Sequence, residues 1–259
     1  MKHAIALAFL VTSWILPARA FTGAVVESWR HDAESKVLTL KIANVSGKDI
    51  TAYYMGVTLK FADGTTDALA DGEPSWGRGI DLLGALVYAE MTKDLPDEKK
   101  PRQKFDAGFA TGTTRYDLVP VPHAKDIVDV KAVFDTVIYA DGTADVGDEQ
   151  HFKGMMAQRK GGLLAMQKVD EVVKQALSDP TVTDPTTMAK VELTRRVLGE
   201  AEKRYDPDDP ARYQGMLLRN AVTAMEEMKD RRSLERYVED IEKRIALTAP
   251  HCNISIQHQ

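Results

Sequence analysis

NVSGKDITAYYMGVTLKFADGT, running from Asn44 to Thr65, decides the fold. A polar turn (Asn44, Ser46, Gly47, Lys48, Asp49) opens onto a run of β-branched and aromatic residues, which stops at Asp63-Gly64, a dipeptide that favours a tight hairpin. The pattern predicts one long strand, Ile50 to Phe61, between two turns. Its ending, Phe61-Ala62-Asp63-Gly64-Thr65, returns as Tyr139-Ala140-Asp141-Gly142-Thr143 after another apolar run, Val128 to Tyr139. Two hairpins of one design predict a β-sandwich, and they explain both Asp-Gly pairs by backbone geometry rather than by function.

Strand periodicity extends outward on both sides. Ala24 to Trp29 and Lys36 to Ala43 precede the deciding stretch, with a turn cluster at His31 to Ser35. Tyr116 to Val121, Val128 to Tyr139 and a short run after Gly142 follow it. Strands separated by turns about every ten residues match an immunoglobulin-like sandwich over residues 21–147, without the cysteine pair of antibody domains. Residues 71–112 interrupt this rhythm and form an insertion at one edge. Within it, Ile80, Leu83, Val87 and Met91 have the spacing of a helix face, although Leu82-Leu83 and Leu86-Val87 also allow a strand. A charged run from Lys93 to Lys104 closes it.

Near Asp148 the apolar period lengthens to that of a helix. Leu163, Met166, Val169, Val172, Val173 and Leu177 line one face, and Met188, Val191, Val197, Leu198, Ala201 and Tyr205 a second. Tyr213, Met216, Leu217, Ala224, Met225 and Met228 line a third, and Leu234, Tyr237, Val238, Ile241 and Ile245 a fourth. Asp179-Pro180, Asp184-Pro185 and Asp209-Pro210 punctuate these runs, since Asp at the N-cap and Pro at the first helical position favour a helix start. A hinge at Asp230 to Ser233 either splits the last two helices or leaves them continuous. The expected fold is therefore α+β in two domains: the sandwich at 21–147, then an all-α domain of helical hairpins at 148–250. Residues 251–259 are expected to be a loose C-terminal tail.

Residues 1–20 have the form of a secretory signal peptide: basic Lys2, an apolar core from Ala4 to Leu16, and Ala18-Arg19-Ala20 where a signal peptidase cuts. Cleavage after Ala20 would release a soluble periplasmic or secreted protein. The single cysteine, Cys252, permits no internal disulfide, so a hydrophobic core must hold the fold. A formal charge of -5 gives no electrostatic reason to expect nucleic acid as a partner. A short signal and no disulfides favour a bacterial protein, which makes the sequons at Asn44 and Asn253 accidental.

No motif of catalysis emerges, and no catalytic, cofactor-binding or metal-ligating residue is assigned. The six histidines (His3, His31, His123, His151, His251, His258) include no pair at i, i+4 spacing. Gly77-Arg78-Gly79 with Gly84 is a poor imitation of a dinucleotide loop. His251-Cys252 are sequence neighbours, an unusual arrangement for a catalytic pair. Asp141, Asp145, Asp148 and Glu149 are close enough to serve calcium, but turns and a domain junction account for them; Asp206, Asp208 and Asp209 are broken by Pro207 and Pro210. The methionines Met155, Met156, Met166, Met188, Met216, Met225 and Met228 fit core packing better than an adaptable binding face. Trp76 either offers an exposed recognition surface or folds over a sandwich edge.

From Asn44 to Gly64, the Asn-x-Ser-Gly-Lys turn, the alternating strand and the Asp-Gly ending resemble small bacterial exported immunoglobulin-like domains of the FxLYD kind. The resemblance covers about a tenth of the chain and departs from that family at the 71–112 insertion. It implies an immunoglobulin-like sandwich in a cell-envelope setting and brings no catalytic residues. The expected function is an exported, non-enzymatic binding or scaffold protein whose partner is another protein, or a peptide or glycan. The rivals are a secreted hydrolase with an inter-domain carboxylate site and a periplasmic chaperone-like assembly factor.

Overall fold

The computed structural model describes residues 23–68, 78–94, 96, 109–121, 126–201, 209–228 and 230–257. The signal segment, Trp76, most of the charged run Lys93–Lys104, His123, Tyr205, Asp206, Asp208 and His258 lie outside them.

The deciding stretch folds as its chemistry dictates. Asn44 is buried and acts as the knot of its turn: its Nδ2 donates to the Lys48 carbonyl at 2.8 Å and to the Phe109 carbonyl at 2.6 Å, while its Oδ1 accepts from the Ser46 N–H at 3.0 Å. An amide so engaged is no glycan acceptor in the folded chain. Strand β3 (Ile50–Phe61) follows, and β7 (Ile127–Tyr139) is the strand that precedes the echo. Each turns at an Asp-Gly whose glycine has φ +82°. In each turn the aspartate Oδ1 accepts from the threonine N–H two residues on, Asp63 from Thr65 at 2.9 Å and Asp141 from Thr143 at 3.0 Å. The hairpins lead to β4 (Thr66–Ala68) and β8 (Thr143–Val146). They stand back to back, because β3 and β7 pair antiparallel from Ile50↔Tyr139 to Phe61↔Ile127 and the order is β4-β3-β7-β8. Three register shifts along the β3–β7 pair add local twist and curl the sheet.

A second, three-stranded sheet has the order β1-β2-β6, with β1 at Ala24–Asp32, β2 at Val37–Asn44 and β6 at Thr114–Pro120. Alternation sends Leu38, Leu40 and Ile42 of β2 and Val119 of β6 into the same buried cluster as Tyr53, Met55, Val57, Leu59 and Phe61 of β3. Each fully buried aliphatic or aromatic side chain there contributes about 1.5–3 kcal/mol. Inside this cluster the Tyr53 hydroxyl donates to Asp117 on β6, whose other oxygen accepts from Arg115 Nε at 3.0 Å. A buried polar group thus finds its partners across the two sheets.

Two strands were not legible in the pattern. Arg78–Asp81 is β5, paired with β3 at Ala52↔Asp81, so Ile80 belongs to a strand and only Leu83 and Val87 of its expected helix face are buried on α1 (Leu83–Thr92). Ser255–Ile256 is β9, which pairs parallel with β8 and makes the larger sheet mixed rather than purely antiparallel.

Four helices follow: α2 (Glu149–Ser178), α3 (Pro185–Ala201), α4 (Pro210–Glu226) and α5 (Arg231–Thr248). Asp148 caps α2, accepting from the Gln150 and His151 N–H groups; Asp184 and Asp209 cap α3 and α4 ahead of their prolines. Asp179-Pro180 instead ends α2, with Asp179 at its C-cap. Asp230 and Ser233 form a reciprocal capping box, which resolves the expected hinge as a break. The helical core is drawn from Val169, Val173, Leu193, Leu218, Met225, Leu234 and Ile241, among others. Val191, Leu198 and Met216, expected on buried faces, are exposed.

The thirty-residue α2 serves both halves of the chain. Its first turns bury Met155 and Met156 against Ala52, Ile138 and Ala144, on the face of the larger sheet opposite the first cluster; its later turns enter the helical core.

Candidate functional site

The site begins at the end of β5. Asp81 Oδ1 accepts from the Leu83 N–H at 2.9 Å, satisfying one of the orphan donors that open α1. The Leu82 N–H donates to the Thr51 carbonyl at 2.8 Å and ties the same point to β3. Opposite lies Arg159 on α2. Its Nε and Nη2 donate to Asp81 Oδ2 and Oδ1 at 2.9 and 3.0 Å, Nη2 also to Thr51 Oγ1 at 3.1 Å, and Nη1 to the His251 carbonyl at 3.4 Å. The Arg159 side chain is 1% exposed and that of Asp81 18% exposed. A buried guanidinium is tolerable because its donors are met by a carboxylate in fork geometry and by two further oxygens.

Both residues of this ion pair line a cleft of about 620 Å³, walled by α1, α2, α4 and α5. Its apolar lining comes from Leu83 and Val87 on α1, Met166 and Val169 on α2, Leu217 on α4 and Ile241 on α5. Small residues on α2 and α4, Gly162, Ala165, Ala221 and Ala224, also line it, and Ala165 and Ala221 belong to the helical core. The rim is polar: Gln158, Asn220, Asp240 and Arg244 are all exposed. Asp240 and Arg244 stand one turn apart on α5, and neither has an ion-pair partner within 4.0 Å among the described residues. Among the described residues, no histidine or cysteine belongs to the lining.

A second polar group sits where α2 meets the larger sheet. The His151 ring stacks on that of Tyr54, with centroids 3.5 Å apart and planes at 15°. His151 Nδ1 lies 2.8 Å from Asp135 Oδ2 and 3.7 Å from Asp148 Oδ2. Burial pushes the Asp135 carboxyl above the usual aspartate range, against the pull of His151. Among the described residues, Asp135 Oδ1 is buried without a hydrogen-bond partner.

The residues singled out in the sequence have other tasks. Asp141 closes its hairpin and pairs with Lys48 at 2.9 Å; the Thr143 hydrogen bond, then Lys48, holds its carboxyl below the usual range. Asp145 accepts from the Tyr139 hydroxyl at 2.6 Å, and Asp148 caps α2. Glu149 pairs with Lys153 at 3.2 Å, so all four carboxylates considered for calcium are engaged separately, and among the described residues no acidic, His or Cys group has the arrangement of a metal site. Met155, Met156 and Met225 are buried, and Met166, Met188 and Met228 are half-buried at the core's edge.

The C-terminal segment differs most from expectation. Ala249–Cys252 form a 3₁₀ turn, Cys252 is 3% exposed, and the Ser255 N–H donates to the Gly142 carbonyl at 2.9 Å. The expected loose tail is docked, because the turn presents Cys252 to α2 and β9 extends the sheet. Burial raises the Cys252 thiol and lowers the neighbouring His251, a shift toward the neutral form in each.

Arg159 and Asp81 were not singled out in the sequence. A signal was present: Arg159 follows Met155 and Met156 at i+4 and i+3, on the stripe that the apolar residues occupy. No known protein family, curated protein or solved structure matches the chain.

Proposed function

We propose that this is an exported binding protein without a catalytic role, in which an immunoglobulin-like sandwich carries a helical domain that holds a partner. The observation that carries the reading is the cleft between α1, α2, α4 and α5, apolar within and polar at the rim, which is the form of a recognition site. The buried charge pair on its lining, Asp81–Arg159, is internally satisfied and serves to fix α1 against α2. The sandwich is supported by one apolar cluster shared between the β1-β2-β6 sheet and strands β3 and β7 of the larger sheet. Export rests on the pattern of residues 1–20, and the cell-envelope setting on the resemblance to FxLYD-like domains. No helix among the described residues is long and apolar enough to cross a membrane.

Gly84 gives a clean test, since a Cβ added there meets no atom within 4 Å. Gly84→Trp should fold normally and block the mouth of the cleft. Saturable one-to-one binding of the apolar dye Nile red to the parent, lost in Gly84→Trp, is the expected result. Non-saturable binding, or equal binding by both proteins, would remove the cleft as the site. Expression of the full chain in a bacterial host, with N-terminal sequencing of the periplasmic fraction, should return Phe21; a retained Met1 would overturn the export reading.

A further inference from the structure

We infer that residues 253–257 are a displaceable strap, and that the outer edge of β8 beneath them accepts an extended segment of a partner protein carrying an aliphatic anchor beside an acidic residue. This second site shares no lining residue with the cleft and does not depend on it.

The strap is lightly held. Its hinge follows Cys252, which is 3% exposed and whose thiol donates to the Thr248 carbonyl at 3.6 Å. Beyond that anchor, Asn253, Ser255, Ile256 and Gln257 are exposed, and of the five residues only Ile254, half-buried, joins the apolar cluster of Ala144, Met155 and Met156. The Ser255 and Gln257 N–H groups donate to the Gly142 and Ala144 carbonyls, each at 2.9 Å, and Lys48 Nζ reaches Gln257 Oε1 at 3.5 Å. A surface segment with so few buried contacts opens locally at a free energy well below that of global unfolding.

What lies beneath has the form of a peptide acceptor. With the strap lifted, the Gly142 and Ala144 carbonyls stand on an open sheet edge, which is a template for an incoming strand. The parallel register, Thr143↔Ser255 and Ala144↔Ile256, fixes the direction of the occupant. The seat of Ile254, in one apolar cluster with Phe152 and Val146, fixes an aliphatic side chain just before the first bonded residue. Charge fixes its neighbour. Residues 253–257 carry no charge, yet Lys153 and Lys160 of α2 line a space of about 590 Å³ whose lining also includes Asn253 and Ser255. Lys153 pairs with Glu149 at 3.2 Å, whereas Lys160 has no ion-pair partner within 4.0 Å among the described residues. An acidic side chain in the place of Asn253 answers Lys160, an attraction the strap itself does not make.

Hydrogen exchange of the unmodified protein, followed by NMR, should show the Ser255 and Gln257 amides exchanging about a hundredfold faster than those of Val137 and Ile138 in β7. Equal protection would overturn the strap. The full-length variant Ile254→Gly/Ser255→Pro then removes the anchor and one N–H donor; Ile254→Ala replaces it if the proline costs the native circular dichroism. The probe is acetylated Asn-Ile-Ser-Ile-Gln-His-Gln, the sequence of residues 253–259. It is titrated into isotope-labelled protein to about 5 mM, because an attached segment competes at a millimolar effective concentration. The Gly142 and Ala144 amides should shift saturably in the variant, with a midpoint about tenfold lower than in the parent. The same peptide carrying Asn253→Asp should bind the variant about threefold more tightly, and Lys160→Gln in that background should remove the gain. Unperturbed β8 amides, or equal affinity for parent and variant, would overturn the acceptor site. Equal affinity for the two peptides would overturn the acidic partner.

Discussion

Arg159 and Asp81 face each other in a bidentate pair, Nε to Oδ2 and Nη2 to Oδ1, that joins α2 to the strand end from which α1 starts. Both groups also line the cleft. The pair therefore sets the width of the site as well as the docking of α2.

Removing one partner of such a pair leaves the other buried and uncompensated. Arg159→Met is expected to cost about 3–5 kcal/mol of unfolding free energy. The double variant Arg159→Met/Asp81→Leu should recover a large part of that loss. Urea denaturation of the two variants and the parent measures both; additive losses would show that the groups do not act as a pair.

How much of this was open to sequence reading depends on the range of each interaction. The Asn44 turn, β3 and the two Asp-Gly hairpins follow from residues within a few positions of one another, so the pattern predicts them. The bounds of β3, Ile50 to Phe61, coincide with the expected strand. β5 is different, since four residues become a strand only because β3 offers an edge at Ala52–Met55. Ile80 carries a helix-like spacing and is overruled by that pairing. Arg159 looks like one more charge on a solvated helix until Asp81 and Thr51 are brought to it. Cys252 looks like part of a tail because nothing local shows that β8 will accept another strand. The cleft is assembled from four helices and has no local signature at all.

Gly161 lies mid-helix on α2, where a Cβ would come within 2.3 Å of the Pro210 carbonyl oxygen and 2.8 Å of Tyr213 Cβ. Backbone cannot yield as a flexible side chain does. Gly161→Ala should therefore destabilise the protein by about 1–3 kcal/mol despite the better helix propensity of alanine. Gly84→Ala, where nothing stands within 4 Å, is the control and should be neutral or slightly stabilising in thermal denaturation.

The twin hairpins predict equal penalties. Gly64 and Gly142 share φ +82°, a region that an L side chain adopts only under strain. Gly64→Ala and Gly142→Ala should each cost about 1 kcal/mol in denaturant unfolding. A much larger loss at Gly142 would mean that the turn also governs β9, whose Ser255 N–H bonds to its carbonyl.

Asp135 sets a pH dependence whose sign follows from its raised carboxyl. A group that holds its proton more tightly when folded favours the native state below the unfolded value of 3.8 and loses that contribution as pH rises through the folded value. Asp135→Asn removes the titration. The stability of the parent relative to this variant should therefore fall as pH rises from about 3.8 and then level off. Urea midpoints for both proteins from pH 3.5 to pH 7 give the difference; a constant offset would mean that burial does not perturb this carboxyl.

The pairing of β3 with β7 has a consequence in time. Ile50 meets Tyr139 and Phe61 meets Ile127, so the central contact of the larger sheet joins segments far apart along the chain. Ordering the intervening loop before that contact forms makes such sheets slow to assemble. During that delay β3, twelve residues with an apolar face, waits with its β7 edge open and is a template for a wrong strand. Substitutions that weaken this pairing should lower the yield of recovered protein before they lower its melting temperature.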